Sequence, residues 1–183
     1  MMKKIICVLL SLLLFGTACA EAPQGEAVDE ITVNGKYIIR CEKPEGYEMN
    51  VMVSDSGRIQ GTLTADEDGQ RPILAFSIAY EETYADVERM NDLSQEDLAF
   101  LEATYAEENP TITYRETAHG SKLMCVTGTV GESDFLSILT VYLGYMIEFD
   151  LFPGLETDGR LTEEQIQMAV DFLSAMTFTR ITE

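Results

Sequence analysis

Tryptophan is absent from this 183-residue chain, histidine occurs once and cysteine four times, and bases are scarce, with 12 Lys+Arg against 32 Asp+Glu and a formal net charge of −20. Each shortage closes off a class of function. Phosphate backbones and anionic head groups are bound through clustered Lys and Arg, so no nucleic-acid partner is expected for so acidic a chain. A lone His119 does not supply the two or three imidazoles that a histidine-based zinc site needs. Gly-x-Ser-x-Gly elbows, His-Glu-x-x-His helices, Cys-x-x-Cys pairs and phosphate-cradling glycine loops are all missing. No cofactor is therefore expected. The apolar share is an ordinary 46%, too high for a disordered acidic tail, so the charge must coat a core, and the length suits one domain.

The one long hydrophobic run lies at the N-terminus. Lys3 and Lys4 precede an almost unbroken apolar stretch over residues 5–15, followed by the small residues Gly16-Thr17-Ala18-Cys19-Ala20. This is the layout of a secretory signal peptide over residues 1–20, with a run too short for the roughly 20 apolar residues of a membrane span. Two processing routes stay open. Ala18-Cys19-Ala20 suits ordinary signal peptidase and a soluble chain beginning at Glu21, whereas residues 16–19 resemble a bacterial lipobox that would make Cys19 a lipidated first residue. Either route places the folded part outside the cytoplasm, secreted or lipid-anchored at the cell surface, with any membrane contact made through the anchor alone. Removal of residues 1–20 takes the net charge from −20 to −22 and leaves Cys41 and Cys125 as the remaining cysteines. In an oxidising compartment they stand either as a disulfide or as two buried thiols on different strands.

Residues 21–35 read as an acidic leader and residues 36–183 as a single α+β domain. Strands are predicted over residues 37–41, 47–53, 58–64, 73–80, 111–117, 123–130, 135–143 and 145–152, with turns at Pro44-Glu45-Gly46, Ser54-Asp55-Ser56-Gly57, Asp66-Glu67-Asp68-Gly69 and Gly144. Within residues 145–152, Tyr145, Ile147, Phe149 and Leu151 point one way while Glu148 and Asp150 point the other. A helix is predicted to begin after Ser94, with Asp97 completing a capping box and Leu98, Leu101 and Tyr105 sharing a face. A second opens on the capping box Thr162-Glu163-Glu164-Gln165 and carries Ile166, Ala169, Val170, Leu173 and Met176 on its apolar face. It is followed by a short strand over residues 177–179.

The order of these elements, with Tyr37-Ile38-Ile39 leading into Pro44-Glu45-Gly46-Tyr47, the Leu143-Gly144-Tyr145 step and the closing segment 166–178, resembles the PsbP-like family of extracytoplasmic domains. Tyr47 stands where that family often carries Trp. The resemblance implies an antiparallel sheet flanked by helices, an α/β sandwich, serving as an accessory or binding module without catalysis, and it carries no functional residues over.

Candidate chemistry is sparse. A hydrolase would have to use His119 as its base, at a turn beside Gly120. Asp66 and Asp68 resemble the middle of a calcium loop, but Thr64 and Ala75 stand where its end ligands belong, which leaves weak calcium binding as a structural alternative. The third candidate is an acidic face formed by Glu81, Glu82, Asp86, Glu88, Glu96 and Asp97, suited to a basic protein or peptide partner. The leading expectation is a secreted or surface-tethered binding module that docks such a partner.

Overall fold

The computed structural model describes residues 30–33, 37–65, 69–105, 110–117 and 120–181. Ten strands and two helices follow in the order β1 (Glu30–Val33), β2 (Tyr37–Arg40), β3 (Tyr47–Val53), β4 (Ile59–Ala65), β5 (Ile73–Tyr80), α1 (Gln95–Tyr105), β6 (Thr111–Glu116), β7 (Lys122–Val130), β8 (Ser133–Tyr142), β9 (Tyr145–Phe152), α2 (Glu163–Ala175) and β10 (Thr177–Arg180) among these residues. Strand structure begins at Glu30, inside the stretch expected to be leader. Ile31 pairs with Ile39 and is only 4% exposed, so burial of that side chain recruits an acidic segment into a sheet.

Seven strands form one antiparallel sheet in the order β3-β4-β5-β9-β8-β7-β6, and β1-β2-β10 form a second, smaller one. The large sheet joins two meanders. One runs β3 to β5, the other β6 to β9, and the seam between them is the β5–β9 ladder, on which Phe76 faces Phe149 and Ser77 faces Glu148. The expected α+β class and antiparallel sheet are present, although the molecule is mostly sheet and each face of it meets a single α-helix, joined on the α1 side by two short 3-10 turns at Glu82–Tyr84 and Met90–Asp92.

Alternation along the central strands explains why both faces are occupied. On β9, Tyr145, Ile147, Phe149 and Leu151 join Leu136 and Ile138 of β8 and Phe76 of β5 in one apolar cluster. Onto this face α2 lays Ala169, Val170, Phe172 and Leu173, and the Phe172 ring meets that of Phe149 edge-on at 5.6 Å. The opposite face gathers Met124, Val126, Leu139 and Val141 with Tyr84, Met90, Leu93 and Leu101 in a second cluster. A central strand buried on both sides carries apolar residues on both faces, as β8 does with Leu136, Ile138, Leu139 and Val141.

Both helices start where capping chemistry places them. Ser94 Oγ accepts from the Asp97 amide at 3.1 Å and donates to Asp97 Oδ2 at 2.6 Å. Thr162 Oγ1 accepts from the Gln165 amide at 3.2 Å, while Gln165 Oε1 accepts from the Thr162 amide at 2.8 Å. Among the described residues no helix is long and apolar enough to cross a membrane.

Candidate functional site

The acidic segment is fastened to one corner of the large sheet. β8 and β9 are joined by Leu143 and Gly144, both left-handed, with φ of 50° and 79°. Around this turn the chain from Glu81 to Arg89 wraps by main-chain bonds: Leu143 N–H donates to Glu88 O at 2.9 Å, Gly144 N–H to Val87 O at 3.1 Å, and Glu81 N–H to Gly144 O at 3.0 Å. A side chain at Gly144 would meet the Tyr80 ring at 2.9 Å, so glycine there serves the close approach as well as the turn.

This anchoring places Glu82, Asp86 and Glu88 on the surface, and Glu96 is exposed on the first turn of α1. Glu81 and Asp97 are half-buried and converge on Tyr84, whose phenol is pushed above its ordinary range by burial and then by the charges of Asp97 and Glu81. The structure thus brings together two of the expected face residues that lie far apart in sequence. Asp97 is also committed to capping α1. The ion pairs Arg40–Glu30, Arg115–Glu163 and Arg160–Asp134 lie elsewhere and involve none of the six.

A second polar group was not legible as a site. Ser137 on β8 is 2% exposed and donates to Asp150 Oδ1 on β9 at 2.6 Å, while Tyr105 at the end of α1 donates to Glu148 Oε1 at 2.7 Å. The Asp150 carboxyl is pushed up to about 7, first by burial and then by the charge of Glu148, with the Ser137 hydrogen bond pulling the other way. Burial, followed by the same Glu148 charge, raises the Tyr105 phenol far above its usual range. A carboxyl that titrates near neutrality can exchange a proton. Its bond joins β8 to β9, and the neighbouring Glu148, through Tyr105, ties α1 to the sheet. Alternation showed that Glu148 and Asp150 share a face; that Tyr105 and Ser137 meet them there had no sequence signal.

Cys41 and Cys125 are each 2% exposed in the same apolar cluster and are not bridged, so of the two sequence readings the structure contains buried thiols and not the disulfide. Cys41 Sγ lies 3.8 Å from Met49 Sδ. Burial raises the Cys125 thiol, an effect that Arg115 partly offsets. Cys19, Asp66, Asp68 and His119 lie outside the described residues. Among the described residues no cluster of His, Cys, Asp and Glu is arranged to hold a metal ion.

Two concavities stand out among the described residues. One, of about 300 Å³, lies between β8, Thr117 and Ser121, and the end of α2, and two of its hydroxyls are engaged internally: Thr140 donates to Lys122 O, and Thr117 Oγ1 accepts from the Ser121 amide. The other, of about 630 Å³, runs along α2 opposite Glu42 and Pro44. In comparisons with known proteins, the chain matches no family model and no curated sequence.

Proposed function

We propose that the protein is an extracytoplasmic accessory module that performs no catalysis and docks a basic protein or peptide through the acidic face around Tyr84. Exposed carboxylates that the fold does not neutralise carry this reading. Glu82, Asp86, Glu88 and Glu96 stand in solvent without ion pairs among the described residues, the first three on a segment hydrogen-bonded to the β8–β9 turn and Glu96 on the first turn of α1. Leaving like charges together costs folding stability, and a cationic partner removes that cost on binding. The N-terminal signal pattern supports export, with release at Glu21 or lipidation at Cys19 as the two routes. The likeness in element order to PsbP-like domains supports a helix-flanked sandwich with an accessory role.

Titration with a fluorescent oligolysine peptide tests the face. Replacing Glu82, Asp86, Glu88 and Glu96 by their amides should weaken binding on the order of tenfold at low salt, and the wild-type affinity should fall as salt rises. Unchanged affinity in the amide variant defeats the reading. Intact mass of the exported protein separates the processing routes, since a chain starting at Glu21 and one starting at a diacylated Cys19 differ by Cys19, Ala20 and the lipid.

A further inference from the structure

The groove beside α2 combines two properties that the acidic face lacks. Its floor is apolar, formed by Pro44, Met168, Phe172 and Ala175, and its rim is acidic, with Glu42, Glu163, Glu164 and Asp171; among the described residues no base lines it. Helical spacing makes this arrangement regular. Glu164, Met168, Asp171 and Ala175 follow one another at four, three and four residues, so they form one stripe along α2 facing the 42–44 segment.

Folding accounts for two of the four charges and leaves Asp171 and Glu42 without such a role. Glu163 and Glu164 complement the positive end of the helix dipole, and Glu163 lies 3.4 Å from Arg115. Asp171 sits toward the opposite end, where a carboxylate opposes the dipole and no base in the last turn offsets it. It accepts only a 2.7 Å bond from Gln167, and Glu42 arrives from the link between β2 and β3 to add a further negative charge. At about 630 Å³ the groove has room for one or two bulky side chains.

We propose that this groove docks a peptide segment of a partner protein in which a bulky apolar side chain is flanked by Lys or Arg. The apolar residue covers Met168 and Ala175, and the bases pair with the carboxylate rim, so contact area supplies affinity while charge supplies selection and rate. α2 packs on the sheet face opposite to the one that gathers Tyr84 and α1, so this site is separate from the acidic face proposed above.

Fluorescence anisotropy with the full chain tests it, using a labelled peptide of alternating Lys and Leu and a second of the same length in which Ser replaces Leu. The Lys/Leu peptide should bind at least tenfold more tightly than the Lys/Ser peptide. Ala175→Arg, at an exposed position that leaves the core untouched, and the double variant Glu164→Lys with Asp171→Lys should each reduce Lys/Leu affinity tenfold or more while the melting temperature is retained. The amide variant of Glu82, Asp86, Glu88 and Glu96 should leave the difference between the two peptides intact, which separates a failure here from a failure of the acidic face. Equal binding of the two peptides, no binding of either, or unchanged affinity in both groove variants overturns the proposal. So does a shift in sedimentation on Ala175→Arg without loss of peptide affinity, because the occupant is then a second copy of the chain.

Discussion

Ser137 and Asp150 face each other across the β8–β9 ladder, and the serine hydroxyl donates to the carboxylate at 2.6 Å. Two strands on, Ser77 of β5 faces Glu148, whose carboxylate accepts from Tyr105 of α1 at 2.7 Å. The middle of a largely apolar sheet therefore holds two acids on neighbouring same-side positions of one strand, about 7 Å apart along it. A helix residue supplies the hydrogen bond for one and a strand residue for the other.

Because the Asp150 carboxyl is raised to about 7 from an ordinary 3.8, the folded chain holds a proton there that the unfolded chain has lost. Stability from this group is fully present below the ordinary value of 3.8, declines as pH rises from there to about 7 and is lost above it. Asp150→Asn keeps an acceptor for Ser137 and removes the charge. It should raise stability at pH 8 by on the order of 2 kcal/mol, several degrees in melting temperature, with the gain shrinking toward pH 4. Thermal melts of both proteins across that range check it; a gain independent of pH would count against the assignment.

Tyr105→Phe should loosen α1. The substitution strips the half-buried Glu148 of its phenolic donor and should cost about 1–2 kcal/mol. Tyr114→Phe also removes a bond to the helix region, the 2.6 Å contact from Tyr114 to Glu102, but at an exposed position, and should cost under about 1 kcal/mol. Amide hydrogen exchange over residues 95–105 should rise clearly in the first variant and little in the second.

Leu143 occupies a left-handed conformation that asparagine adopts more readily. Leu143→Asn, giving an Asn-Gly turn between β8 and β9, should stabilise the protein by about 0.5–1 kcal/mol. Gly144→Ala should do the opposite by more than about 1 kcal/mol, since the new methyl would press on the Tyr80 ring and approach Ala85 Cα at 3.4 Å. Denaturant unfolding curves of the two variants should shift in opposite directions.

Cys41 and Cys125 should resist iodoacetamide at pH 8 in the native protein and react fully in guanidinium, as peptide mapping would show. Burial hides both thiols, and it raises the pKa of Cys125, which keeps the reactive thiolate scarce. A two-dalton mass deficit in the purified protein would contradict the unbridged cysteines.

Much of the local structure was legible in advance because its signals are themselves local. β3, β5 and β9 occupy the segments that alternation and turn residues marked, and both helices begin after the caps at Ser94 and Thr162. β1 escaped notice because its four residues look like acidic leader until Ile31 finds Ile39 across a ladder. The acidic residues around Glu82 were visible as composition, whereas the convergence of Glu81 and Asp97 on Tyr84 depends on the loop being stitched to Gly144.

By itself the sequence determined the charge excess, the scarcity of histidine, the alternating faces of β9 and the capped starts of the helices, all properties of residues within a few positions of one another. Tertiary structure alone decided that β5 pairs with β9, that Tyr105 and Ser137 meet the β9 carboxylates, that Cys41 and Cys125 are thiols in one cluster, and that Glu42 joins the α2 stripe around an apolar groove. Those contacts link residues distant in the chain. Their energies come from shared burial and charge, which no local pattern encodes.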